Sequence, residues 1–296
     1  MSLPNVFPNS VRLAPGLGGL PRLEIDSPLA KAQIYLHGAH VASYTKAGER
    51  PLLFLSEKSH FRGGEPIRGG VPIIFPWFGG RQDGADLPAH GFARRCAWAA
   101  EAVRQEDDGT VQVELRLKPD RATGAVFNND WVARYRVRVG SELTLELEVT
   151  NTGSAPFRYE EALHTYFSVS DVRNIAITGL EETEYLSAIE EVPRKRQNAK
   201  PIRFEGELDR AYLNTEATCV IEDPGFDRRI IVEKAGSQST VVWNPWIDKA
   251  QRMADFGDDE WKQMVCVESG NVRENQREVI PGERQTLRVT LRSEAL

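Results

Sequence analysis

Alternation with a period of two runs through this chain more persistently than any other pattern. In TVQVELRLK, Val111, Val113, Leu115 and Leu117 fall on one side and polar residues on the other. A strand points successive side chains to opposite faces, so such a segment is suited to a half-buried sheet. ARYRVRV and ELTLELEVT repeat the pattern, and Gly140-Ser141 between them predicts a hairpin. Further short apolar or alternating runs follow in TCVIEDP, RRIIVEKAG, STVVWNPW, QMVCVES and RQTLRVTLRS. Turn-forming groups punctuate them: Asp108-Gly109, Asn151-Thr152-Gly153, Asp223-Pro224-Gly225 and Pro281-Gly282. Helical periodicity is scarce, and only Ile247 to Met264 has room for a short helix or two. Many strands and few short helices predict an all-β chain of antiparallel sheets packed face to face, a sandwich. No linker composition and no repeat of fixed period divides the 296 residues, so a single domain over 1–296 is expected.

Charge and cysteine content narrow the functions. A net charge of -6 gives no reason to expect nucleic acid, although a local basic pocket for a small anion is compatible with it. The opening MSLPNVFPNS lacks the basic and apolar regions of a secretory signal, and no apolar run is long enough to span a bilayer. Cys96, Cys219 and Cys266 are odd in number and widely spaced, which fits reduced thiols better than a disulfide framework. Neither C-x-x-C nor H-E-x-x-H occurs, so no metal or other cofactor is expected. A cytoplasmic protein without membrane or nucleic-acid partners, acting as a monomer on a small molecule, is the expectation.

One stretch departs from the strand pattern. GGEPIRGGVPIIFPWFGGRQDGADLPAHGFARR, residues 63–95, concentrates glycine, proline, aromatics and arginine around His90. Most of that backbone must be irregular, and loops built on particular glycines and fixed polar groups are often binding sites. Arg62, Arg68, Arg81 and Arg94 lie in or beside it; two guanidinium forks converging from one loop would suit a phosphate or carboxylate, whereas each alone reads as a surface residue. No phosphate-loop or dinucleotide glycine pattern is present. The basic run PRKRQ around Arg194 reads as a solvated turn.

His37, His40, His60, His90 and His164 complete the histidine inventory. FRYEEALHTYFSV reads as one strand, with Phe157, Tyr159, Leu163, Thr165 and Phe167 on one face and Arg158, Glu160, Ala162, His164 and Tyr166 on the other. The second face suits the wall of a wet cleft, while an exposed or structurally satisfied histidine is the plainer reading. Glu268 interrupts the apolar strand QMVCVES and must face solvent or a cavity. Asp209 in ELDRAYLNT reads, taken alone, as a turn or cap residue.

Together, IRGGVPIIFPWFG and LPAHGFARRCAW resemble the signature of the glucose-6-phosphate 1-epimerases, the hexose-6-phosphate branch of the aldose 1-epimerase (galactose mutarotase-like) family. EALHTYFSV, LDRAYLN, VVWNPW, MADFGDDEWKQMVCVESGNV and IPGERQTL extend the resemblance over most of the chain. The resemblance implies a β-supersandwich with its site in a cleft on one sheet. It implies catalytic roles for His164 and Glu268, and substrate contacts from His90, Arg68, Arg94 and Asp209. Arg81 and Gln82 are weaker candidates for a phosphate. Some relatives carry a polar residue where this chain has Ala89, and that side-chain contact is absent here.

The implied activity interconverts the α and β anomers of glucose 6-phosphate or a related hexose 6-phosphate, with no metal or other cofactor. A base takes the C1 hydroxyl proton, an acid protonates the ring oxygen, the ring opens, and closure on the other face completes the exchange. Glu268 is the expected base and His164 the expected acid. Three alternatives stay open: an epimerase of neutral aldoses, a non-catalytic sugar-phosphate binding module on the same fold, and a lyase or hydrolase. A hydrolase would need a second carboxylate beside Glu268, for which Glu160 or Asp209 would have to serve.

Overall fold

The computed structural model describes residues 7–81, 83 and 85–296; Gln82 lies outside the described residues. The strands of the chain form three antiparallel sheets and a two-stranded ribbon. An N-terminal sheet runs through Val11–Pro15, Pro21–Asp26, Ala30–Tyr35 and His40–Lys46. An eight-stranded back sheet is ordered Ala176–Thr178, Cys219–Asp223, Arg228–Ala235, Arg284–Ala295, Leu143–Asn151, Trp131–Val139, Val111–Leu117 and Ala99–Gln105. The second eight-stranded sheet, which carries the candidate site, is ordered Arg194–Arg196, Glu184–Ser187, Leu208–Leu213, Ser239–Asn244, Met264–Asn271, Glu161–Leu163 and Ile73–Ile74, with Tyr166–Ser168 also paired to Met264–Asn271. The predicted antiparallel all-β architecture is what the chain adopts.

The back sheet is built as the alternation predicts. Val113, Val137, Leu145 and Val289 form one cross-strand row, fully buried. Burying each such side chain stabilises the fold by about 1.5–3 kcal/mol. On the opposite face Glu114, Arg136, Glu146 and Arg288 form a row of alternating charge, with Glu146 bridged at 2.6 Å by both arginines. Gly140-Ser141 does turn the hairpin between Trp131–Val139 and Leu143–Asn151. One hydrophobic cluster takes in Leu23 of the N-terminal sheet, Leu145 of the back sheet and Val267 of the site sheet, so the sheets share a core.

Three expectations need correction. The segment 157–169 is not one strand but three short ones: Phe157–Tyr159 pairs with Arg277–Val279, and Glu161–Leu163 and Tyr166–Ser168 pair in succession with Met264–Asn271. Thr165 N–H donates to Leu163 O at 2.9 Å, and this tight turn takes His164 out of the ladder. The run at Arg194–Arg196 is no turn but the exposed edge strand of the site sheet, with Arg194 paired to Glu274 and Lys195 to Glu190. Paired, exposed charges on an edge oppose further strand addition. Helix α1 (Arg121–Val126) has no apolar period to announce it and starts on a capping box between Asp120 and Thr123. Helix α2 (Trp246–Arg252) and the single turn Glu260–Gln263 fall in the segment expected to be helical.

Candidate active site

Directly paired residues of an antiparallel sheet share a face. Asp209, Trp243, Cys266 and Tyr166 therefore form one row across four strands, and Ala211, Val241 and Glu268 form the next. His164, displaced by its turn, enters beside these rows. Its Nε2 lies 3.2 Å from Glu268 Oε1, and its ring stacks on Tyr166 at 4.8 Å between centroids. The histidine and the glutamate are 6% and 1% exposed. Glu268 thus faces the buried floor of the site beside His164, not open solvent.

Around this buried floor stand half-buried side chains: His90, Arg68, Arg94, Asp209, Lys249 and Arg273. The glycine-rich stretch is folded back on itself to deliver the first of these. His90 and Gly91 both take positive φ, 67° and 71°, and a side chain at Gly91 would run into the Phe75 carbonyl. His90 N–H donates to Gly79 O at 2.8 Å, and Gly79 N–H donates back to His90 Nδ1 at 3.3 Å. That acceptor role leaves Nε2 of a neutral His90 as the protonated nitrogen. The ring meets Phe78 edge-on at 5.0 Å and His164 at 5.8 Å.

The two arginines of the loop are held differently. Arg68 directs Nε and a terminal nitrogen to Asp255 Oδ2, at 3.1 and 3.0 Å, and its other terminal nitrogen to the Tyr166 hydroxyl at 3.0 Å. Among the described residues Arg94 bonds only the Ala89 carbonyl, at 3.0 Å, and its buried Nε has no partner. A guanidinium so placed has capacity for an incoming anion. Arg81 points elsewhere, to Asp83 and the Val126 carbonyl.

The electrostatics follow from this arrangement. Burial pushes the His164 imidazole well below its ordinary range, and His90, Arg94 and Arg68 add to the effect. Burial pushes Glu268 well above the ordinary carboxylate range, aided by Asp209 and opposed by Arg94. The pair therefore holds a single proton across a wide span of pH. His90 is likewise pushed far down by burial and by the surrounding arginines. Arg94 itself is lowered to about 10 by burial and by Arg68. Asp209 is raised by burial, against the pull of Lys249 at 3.8 Å.

Of the residues singled out in the sequence, His164, Glu268, His90, Arg68, Arg94 and Asp209 line one site. Glu160 does not: its carboxylate accepts from the Phe78 and Arg273 backbone N–H groups and anchors the loop. It is therefore not free to serve as the second carboxylate of a hydrolase. Lys249, Asp255, Arg273 and Cys266 were not singled out. Arg273 has positive φ, 57°, and lies over Phe78 at 5.4 Å, on the wall of the site shared with His90. Cys266, His164 and Glu268 offer donor atoms that all lie within 4.8 Å of one another, a grouping that residue spacing does not announce. A broad depression over the N-terminal sheet is no rival, because Arg12 and Arg22 there are both spent on Glu24.

The sandwich of large antiparallel sheets matches solved structures described as galactose mutarotase-like. A protein of that description from Clostridium acetobutylicum superimposes with a TM-score of 0.73 over 97% of this chain and 98% of its own, at 13% identity, a likeness of fold alone. This chain belongs to the aldose 1-epimerase family, whose profile matches residues 21–292. It is 37% identical over 268 residues to a Cenchrus ciliaris protein named "putative glucose-6-phosphate 1-epimerase", covering 88% of this chain and 80% of that one. The crystal structure of a "putative mutarotase" from Salmonella typhimurium superimposes with a TM-score of 0.91 at 31% identity, over 99% of this chain and 97% of its own. No helix among the described residues is long and apolar enough to cross a membrane.

Proposed function

We propose that this protein is a hexose-6-phosphate mutarotase, with glucose 6-phosphate as the reference substrate. The observation that carries the reading is the buried His164–Glu268 pair at 3.2 Å, beside an Arg94 whose Nε has no partner among the described residues. The pair supplies proton transfer, and the arginine suits an anionic substituent. Glu268, whose Oε2 has no partner among the described residues, takes the proton from the C1 hydroxyl. Burial leaves the pair's shared proton on Glu268; it passes across the 3.2 Å contact to His164 as the substrate seats, freeing the carboxylate to act as base, and His164 gives it to the ring oxygen as the C1–O5 bond breaks. The open-chain aldehyde turns about C1–C2, and the same steps run backward on the other face. The pair ends each cycle with the one proton it began with. His90, neutral and protonated on Nε2, donates a hydrogen bond to the oxygen that gains charge. Asp209 accepts from sugar hydroxyls. Arg94 is the principal phosphate ligand, with Arg68 beside it, since part of Arg68 is committed to Asp255.

Positioned acids and bases contribute about 10²–10⁴-fold each, so Glu268→Gln and His164→Ala should each slow anomer exchange by about that factor. Exchange NMR on glucose 6-phosphate measures this directly, with circular dichroism to verify folding. A folded variant of either kind exchanging at the parent rate removes the assignment.

A further inference from the structure

The floor of the site holds one more chemically capable group than anomer exchange uses. Cys266 sits two residues before Glu268 on the same face of the same strand, opposite Tyr166. Its thiol, one Glu268 oxygen and one His164 nitrogen lie within 4.8 Å of one another, and all three residues are buried. Among the described residues, Glu268 Oε2 and His164 Nδ1 have no hydrogen-bond partner. Buried polar atoms are seldom left so.

We propose that His164, Cys266 and Glu268 form a site for a thiophilic divalent ion, zinc above all, and that its occupation blocks the protein's activity. Zinc takes imidazole, thiolate and carboxylate ligands at about 2.0–2.3 Å in a tetrahedron, which puts ligand atoms roughly 3.3–3.7 Å apart. The 3.2 Å between His164 Nε2 and Glu268 Oε1 is already close to that spacing. The fourth position falls to water. Magnesium and calcium prefer six or more oxygen ligands, and this set offers them little.

The ion and the proton compete for the same atoms. Binding converts the thiol to a thiolate and displaces the proton that His164 and Glu268 hold in common, releasing two protons. Affinity therefore rises with pH. With the ion in place the pair can neither accept nor donate a proton, so zinc acts as an inhibitor. The ion-binding half of the proposal does not depend on the mutarotase reading; the inhibitory half rests on it.

Cobalt(II) reports thiolate ligation through a charge-transfer band in the near ultraviolet, read on the protein without substrate. The parent protein and Cys96→Ser should develop the band, and zinc should abolish it; Cys266→Ser should not develop it. With hexose 6-phosphate, zinc should inhibit exchange, a chelator should restore it, and magnesium should have no effect. Cys266→Ser should need about tenfold or more zinc for half-inhibition relative to its own uninhibited rate. Absence of the band in the parent protein, or its survival in folded Cys266→Ser, overturns the site. Equal zinc sensitivity of the two proteins overturns the inhibitory role.

Discussion

Arg94 is the side chain on which a substrate's charge would register most directly. Charged hydrogen bonds contribute about 1.5–3 kcal/mol each, so Arg94→Met should raise KM for glucose 6-phosphate by about tenfold or more. Free glucose should be turned over poorly by the parent and be little altered by the change. The same variant should displace the pH profile. Arg94 favours the deprotonated forms of both His164 and Glu268. Exchange that needs one protonated and one deprotonated group has a bell-shaped pH profile; removing Arg94 stabilises both protonated forms, so both limbs should move to higher pH. Equal losses on phosphorylated and free sugar, with unmoved limbs, would place the phosphate elsewhere. At this scale the sequence exposed six residues of the site through their motifs. It did not expose Asp255, Lys249, Arg273 or Cys266, because their significance lies in contacts across the chain. Arg68, for example, meets Asp255 through a separation that no local pattern encodes.

Single strands differ in how plainly they announce themselves. Val111–Leu117 and Trp131–Val139 have one wet face, so their alternation is visible in the sequence. Met264–Asn271 and Ser239–Asn244 are buried at every position, so the face carrying Glu268 could not be read from polarity. Glu161, on the neighbouring strand, gives this burial a measurable consequence. Its Oε1 accepts from Asn271 Nδ2 at 3.0 Å, and burial raises its carboxyl to about 7. A carboxyl raised on folding contributes stability that is complete below its unfolded value of about 4.5 and is lost as pH rises through about 7. Glu161→Gln keeps an oxygen for Asn271 and has no charge to bury. Thermal melts from pH 5 to 8 should therefore fall more steeply for the parent than for Glu161→Gln, with the variant melting several degrees higher at pH 8. Parallel curves would mean that Glu161 is not neutral in the fold.

Across the whole molecule, a net charge of -6 coexists with Arg68, Arg94, Lys249 and Arg273 around a single site, all four acting on His90. Their field attracts an anion locally and is screened by salt, over about 10 Å at 0.1 M. KM for a hexose 6-phosphate should therefore climb with ionic strength while that for free glucose stays level. A salt-independent KM for the phosphorylated sugar would argue that these cations do not face the substrate. The all-β class was legible at this scale because repeated alternation and turns leave few other architectures. The break at His164 was not, since it depends on a turn bond and on the strand that pairs on both sides of it. That strand, Met264–Asn271, bears on how the protein is made. It is synthesised late, yet Glu161–Leu163, Tyr166–Ser168 and Ser239–Asn244 all wait for it as a neighbour. Until it leaves the ribosome, the nascent chain carries open strand edges in its middle, the kind of surface that chaperones bind and that aggregates when they do not. Glu268 travels on the same strand, so the candidate site and the closing of those edges arrive together.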